Sequence, residues 1–254
     1  MRMYNKRISL LILTSSLFAI SLSSCNKGYE VDNNKVYYDD WNEGSGSHKK
    51  SLEADPETFT VLKHEKYAKD KNHVFYEGKI VKGADAATFE SLDDWYARDK
   101  DRGYYGGDAV RSSNGKTFKP IDAYYSTDGI DIFYDTLPLH VCNVKDFNFI
   151  NKDQDGWHRW STDGCFYYYI NFKVPSDDYA HVKIYQNSGG LSKDSKYVYF
   201  LDHKLNYDMH GLRVVDTIDA ASFEVTGFLE CRDKYGCFDP FHGRKDCKKR
   251  KNKE

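Results

Sequence analysis

Apolar and polar residues along the chain fall into short blocks, too short for long amphipathic helices. In "YAKDKNHVFYEGKI", residues 67 to 80, two apolar-rich runs flank a polar centre. Val74, Phe75 and Tyr76 are β-branched or aromatic, which predicts a short strand. Asp70, Lys71 and Asn72 predict the turn before it, because an aspartate side chain accepts bonds from backbone groups just ahead. Asn72 tolerates positive φ there, as Gly129 and Gly164 do in related stretches. Gly78 supplies a second turn, and "KIVKG" a third short strand. "ADAATFESL" (84 to 92) is the one helical candidate, with Phe89 and Leu92 on a shared face. Adjacent strand residues face opposite ways. Phe75 and Tyr76 therefore divide between the unit's own interior and a neighbouring unit.

The block recurs. An aspartate followed five and six residues later by aromatics starts at Asp32, Asp70, Asp99, Asp128, Asp163 and Asp194. A last copy at Asp233 keeps Phe238 but has Asp239 in the second aromatic place. Phe59, Phe89, Phe118 and Phe223 precede four of these aspartates by ten or eleven residues. Tyr67, Tyr96, Tyr125 and Trp160 stand three residues before theirs. Such ordered recurrence marks an internal repeat.

The stretch from Tyr67 to Leu92 resembles the repeat of the DKNYY family, whose defining run stands here as "DKNHVFY". The clear match covers roughly 55 to 135 and a weaker one extends through 242. The family is bacterial, commonly exported and largely uncharacterised. The resemblance implies a repeat architecture and supplies no catalytic residues.

The predicted fold is mainly β with short helical connectors. Tandem strand hairpins stack as an open or partly curled solenoid-like array, spanning 32–242 in about seven units. Units of about 30 residues cannot enclose a core alone, but stacked units cover one another. The 21 tyrosines and 15 phenylalanines supply the buried area. Packing between units is favoured over an exposed sugar-stacking ladder. A closed propeller-like arrangement is the alternative. It is disfavoured because four-stranded blades ordinarily take about 40 residues.

Residues 1–24 predict a lipoprotein signal peptide. Arg2, Lys6 and Arg7 precede an apolar run that ends in "LSSC". That ending resembles a bacterial lipobox, which implies cleavage before Cys25 and lipid on Cys25. An ordinary secretory leader is the competing reading. Residues 25–31 are expected to form a tether, 42–51 a second flexible stretch, and 243–254 a basic tail. The tail could contact anionic lipid or stay solvated. Losing the three leader cations shifts the net charge from −2 to −5, which argues against nucleic acid as a partner. Asn26 is not the aspartate associated with inner-membrane retention in some diderm bacteria, which favours the outer membrane.

Export permits disulfides. Cys231 and Cys237 bracket a turn, and Cys142 and Cys165 flank successive units, so each pair is a candidate; Cys247 is left over. Cys231, Cys237, His242 and Cys247 have zinc-ligand chemistry, but their spacing matches no tight knuckle. Asn151, Asp153, Asp155 and Gly156 resemble half a calcium loop, with Thr162 where the bidentate glutamate belongs. Trp157 is the candidate ligand contact. Trp160, beside it, falls in the core tyrosine position. No nucleophile or phosphate-binding signature is present. The reading is therefore a non-catalytic, lipid-anchored interaction scaffold of the cell envelope, with no metal or cofactor. The membrane and an unidentified envelope protein or glycan are its partners. A glycan- or peptidoglycan-binding module is the first alternative and an envelope hydrolase the second.

Overall fold

The computed structural model describes residues 28–153, 155–205 and 218–247. They form seven antiparallel sheets in tandem, none closed, with 43% of the described residues in strands and 3% in helix. The first sheet has three strands: β1 (Gly28–Asp32), β2 (Lys35–Asn42) and β3 (Gly46–Leu52). The second has four in simple succession: β4 (Thr60–Val61), β5 (Tyr67–Lys69), β6 (Val74–Tyr76) and β7 (Lys79–Ile80). Units 3 to 7 repeat this meander over 90–109, 119–138, 148–173, 183–204 and 224–245. Four strands fit into such short units because most are two or three residues long. Unit length therefore does not exclude four strands per unit, although the array remains open.

Three boundaries differ from expectation. Gly28 to Val31, assigned to the tether, pair with β2 as part of the first strand. The stretch 46–51 is also a strand, paired residue by residue with Tyr37 to Asn42. Gly243–Lys245, expected in the tail, form the last strand of unit 7. The connector helix is likewise absent. Residues 85–88 make a single turn, closed by Thr88 N–H donating to the Asp85 carbonyl. The corresponding connectors of units 5 and 6 tighten to one 3₁₀ turn each, Val144–Asp146 and Tyr179–His181.

Strand parity explains the aromatic pair. A unit is one sheet thick and has no interior of its own, so both rings face neighbours. Phe75 pairs across the sheet with Ala68, and Tyr76 with Tyr67. The Phe75 face is directed backward along the array, toward unit 1, and the Tyr76 face forward, toward unit 3. Tyr67, Val74 and Tyr76 share a buried cluster with Phe89, Ala97 and Tyr104 of unit 3. In units 2 to 7 the backward face sets a small residue opposite the ring. The pairs are Ala97–Tyr104, Ser126–Phe133, Ser161–Tyr168, Ser192–Tyr199 and Cys231–Phe238. The large ring then has room to enter the preceding sheet.

Phenylalanines of the connectors wedge between sheets. Phe89 lies 5.6 Å from the Tyr67 ring behind it and 5.3 Å from the Tyr104 ring of its own unit. Phe118 sits in the same way between Tyr96 and Phe133, at 6.1 and 6.2 Å. Burial of such a ring is worth about 1.5–3 kcal/mol. Forward tyrosines also lock units through backbone groups. The Tyr67 hydroxyl donates to the Trp95 carbonyl at 2.7 Å, and the Tyr29 hydroxyl to the Lys66 carbonyl at 3.1 Å.

Both ends are polar, as stacked repeats require. On the outer face of unit 1, Lys49 pairs with Glu30 at 2.6 Å and lies over the Tyr37 ring. On the outer face of unit 7, Arg232 pairs with Glu224 beside a cavity of about 420 Å³. Asp239 replaces the forward tyrosine there. It accepts from the backbone N–H groups of Phe241 and His242, at 2.9 and 2.7 Å.

Candidate functional site

The two edges of the array differ. One carries the middle turns and the connectors, and it is locked shut. Asp70 accepts from the N–H groups of Asn72 and His73 in its own turn, at 2.7 and 2.6 Å. Its other oxygen accepts from Asp55 N–H in the connector at 2.8 Å. The same three-bond staple recurs at Asp99, Asp128 and Asp163. Asp233 keeps the connector bond from Asp219 N–H and one turn bond from Tyr235 N–H, with Arg244 donating to both of its oxygens. At Asp194 the Ser176 hydroxyl takes the connector's part, at 2.6 Å. Burial pushes the Asp70 carboxyl up, but the N–H donors of Asp55, His73 and Asn72 outweigh it and hold it below the ordinary carboxylate range. Lys71 closes the exterior onto Asp55 at 2.8 Å, and Lys234 does the same to Asp219 at 3.1 Å. Positive φ falls on Gly129 and Gly164 in these turns, and Asn72 is not among the positive-φ residues.

The opposite edge carries the loop between first and second strands of each unit, beside the turn between third and fourth. Here side chains remain exposed. The residue immediately before the core aromatic of the second strand is Lys66, Trp95, Tyr124 and Arg159 in units 2 to 5. Trp95 is 46% exposed and lies near-parallel to Tyr105, 6.2 Å away at 24°. Tyr124 repeats the arrangement on Tyr134, at 5.9 Å and 29°. Lys66 sits over the Trp95 face at 3.6 Å and pairs with Glu77 at 3.3 Å. The result is an aromatic ridge bounded by a cation at each end.

Local turns fix the rings. Asp93 accepts from the N–H groups of Trp95 and Tyr96, at 2.8 and 2.6 Å, so the loop presents Trp95 in a set direction. Asp122 holds the matching place before Tyr124 and bonds the Ala123 N–H. Burial pushes the Tyr105 hydroxyl up to about 12, with Asp135 adding to the effect. Burial also raises the Asp135 carboxyl above its usual range. A cleft of about 500 Å³ opens beside the ridge, lined by Tyr38, His64, Lys66, Glu77 and Asp94 among others.

Trp157 joins the ridge. Unit 5 has a longer first hairpin, Asn148–Lys152 with His158–Thr162. It reaches back so that Trp157, 44% exposed, packs 5.1 Å from Tyr124. Trp160 is 2% exposed in the core and 5.1 Å from Tyr169. Trp95 and Tyr124 were not singled out from the sequence. The available signal was an aromatic directly before the core tyrosine, "WY" and "YY".

The calcium-like loop already holds a cation. Arg159 donates to Asp153 at 2.8 Å and to Asp155 at 2.9 Å, and Asn151 is paired with Trp160 in the strand ladder. Asp155 is held below its usual range chiefly by the Arg159 hydrogen bond. Cys142 and Cys165 are joined by a disulfide. It runs beside the Asp163 staple, where Cys142 N–H donates to the carboxylate at 2.7 Å. Among the described residues these three form the one cluster close enough to hold a metal, and the disulfide occupies both thiols.

The Cys231–Cys237 pairing is corrected. Cys231 faces Phe238 across the sheet and Cys237 faces Arg232, so the two thiols lie on opposite faces. Cys237 shares its face with Lys245, two residues before Cys247, and bonds Cys247. Cys231 is a buried free thiol. The four-residue zinc set is thereby excluded. Cys25 and the leader lie outside the described residues, as does most of the basic tail.

The sequence profile of the DKNYY family matches residues 5–108 and 29–171. The chain belongs to the DKNYY family. No curated protein and no solved structure matches it. In this DKNYY chain the residues that define the repeat build the stapled edge and the core. The exposed ridge is made from positions beside the motif. Among the described residues no helix is long and apolar enough to cross a membrane.

Proposed function

We propose that this DKNYY protein is a non-catalytic scaffold of the bacterial cell envelope. It is held by lipid on Cys25, at the outer membrane, and docks an envelope component along the ridge of Trp95, Tyr124 and Trp157. The carrying observation is the contrast between the edges. One spends its polar groups on inter-unit locks, while the other leaves large rings exposed in fixed orientations. Loops positioned by a rigid scaffold are the usual place for binding. The buried carboxylates support the non-catalytic reading, since backbone donors engage them within the turns. Lipid anchoring rests on the leader and the "LSSC" run.

Photo-crosslinking in intact cells tests the docking face. A crosslinker at Tyr124 should capture envelope material, and one at Lys71 on the stapled edge should not. Equal capture at both sites would remove the assignment of the ridge. Cys25→Ala should release the chain from membranes or leave it unprocessed; a membrane-bound, processed variant would sink the anchor.

A further inference from the structure

The ligand class can be argued from the ridge, and the inference rests on the ridge being the docking surface. Trp95 on Tyr105 and Tyr124 on Tyr134 are two copies of one platform, with matching separations and tilts. They stand on consecutive sheets, which pack about 10 Å apart. A ligand that uses both meets the same surface twice in one direction. It must therefore be extended and periodic. Flat exposed rings suit the C–H faces of sugars, which stack on aromatic rings without needing charge; on Trp95 the sugar would take the place of the Lys66 ammonium that lies over the ring at 3.6 Å.

The surrounding charge narrows the choice. Asp93, Asp94 and Asp122 lie in the loops that carry the rings, and Asp135 lies in the turn next to Tyr134. The flanking cations are already engaged, Lys66 by Glu77 and Trp95, and Arg159 by Asp153 and Asp155. An anionic polymer would meet carboxylates beside cations that are already neutralised. A neutral glycan would instead offer hydroxyl donors to those carboxylates. We infer that the ridge binds a neutral, extended glycan chain lying along the array, with sugar rings stacked on Trp95, Tyr124 and Trp157. Trp157 stands at one end, where the longer hairpin of unit 5 brings it onto Tyr124.

Calorimetric titration of the full chain with chitohexaose, cellohexaose and a heparin hexasaccharide tests this. Saturable binding of at least one neutral probe is expected, with no measurable binding of heparin. Trp95→Ala, Tyr124→Ala and Trp157→Ala should each weaken binding by about tenfold or more, as central aromatic contacts do. Their melting temperatures should stay close to the parent's, because the rings are exposed. No saturable binding of either neutral probe overturns the inference, and so does heparin binding of equal strength. Binding that survives all three substitutions also overturns it. Capture of an envelope protein at Tyr124 without glycan binding would keep the ridge and reject the glycan.

Discussion

The hydroxyl of Tyr104 donates to the buried carboxylate of Asp99 at 2.6 Å. Tyr168 does the same to Asp163 at 2.8 Å, and Tyr199 does so to Asp194. The first aromatic of these units thus fills the preceding interface and completes the staple of its own turn. Asp99 therefore collects the connector, the turn and a core ring on one carboxylate. Asp99→Asn should cost about 2–3 kcal/mol, because an amide nitrogen would face donors that now meet a charged acceptor. Tyr104→Phe removes one bond and should cost about 1–2 kcal/mol. Urea unfolding curves check both; an Asn variant as stable as the parent would remove the staple's energetic role.

The same staples set the pH response. Asp70, Asp99, Asp163, Asp194 and Asp233 all have carboxyls held below their ordinary range. In each, burial pushes upward and the hydrogen-bond donors more than reverse it. A carboxyl depressed in the folded state gives stability that is fully present above its unfolded pKa, about 3.9. That stability is lost as pH falls through the folded value. Melting temperature should change little between pH 5 and 7 on account of these groups and drop steeply below about pH 4. A melting temperature that holds at pH 3 would contradict the linkage.

Phe75 is 1% exposed and lies 5.9 Å from the wedge ring of Phe59. Phe75→Ala should lower stability by about 3–5 kcal/mol, the range for truncating a packed core ring. Trp157→Ala should stay within about 0.5 kcal/mol, as surface changes usually do. Chemical unfolding of the pair separates core from ridge, and equal losses would place Trp157 in the scaffold.

The repeat and its strand pairs were legible because packing rules are periodic. An aspartate and its aromatics recur at nearly fixed offsets from unit to unit. The second role of Asp70 was not legible. Its bond to Asp55 N–H joins residues fifteen apart, and only the stacked connector brings them together. The helix expected over 84–92 failed because the matching staple, Asp85 N–H on Asp99, and the Thr88 turn hold the segment more tightly than local propensity does. Trp95 and Tyr124 were hidden for a different reason. In a chain so rich in tyrosine, an exposed ring and a core ring are indistinguishable until parity assigns the faces. The disulfide at Cys237 turned on the same point, since a one-residue difference in register moves a thiol to the other face.

Cys231 occupies the place that alanine holds in units 2 and 3. Burial, with the Asp239 carboxylate adding, pushes its thiol up to about 12, so little thiolate exists at neutral pH. The folded protein should react very slowly with a thiol reagent, and should release one equivalent in guanidinium without reductant if Cys25 is lipidated. Cys231→Ala should cost less than about 1.5 kcal/mol, because the change in volume is small. Rapid labelling of the native state would show that the thiol is accessible and the face open.

Ser161 and Ser192 take that same small-residue position, and each is fully buried. Neither side-chain hydroxyl has a hydrogen-bond partner among the described residues. The face needs a small side chain opposite Tyr168 or Tyr199, and Ala97 fills the same role opposite Tyr104 without a polar atom. A buried unpaired hydroxyl costs about 1–3 kcal/mol relative to a satisfied one. Ser161→Ala and Ser192→Ala should therefore each raise stability, by about 1 kcal/mol, with no change in the ridge. The two sites lie in different interfaces, so their gains should add in the double variant. A loss of stability in both single variants would mean that the hydroxyls are bonded in solution, and that the position selects serine for more than its size.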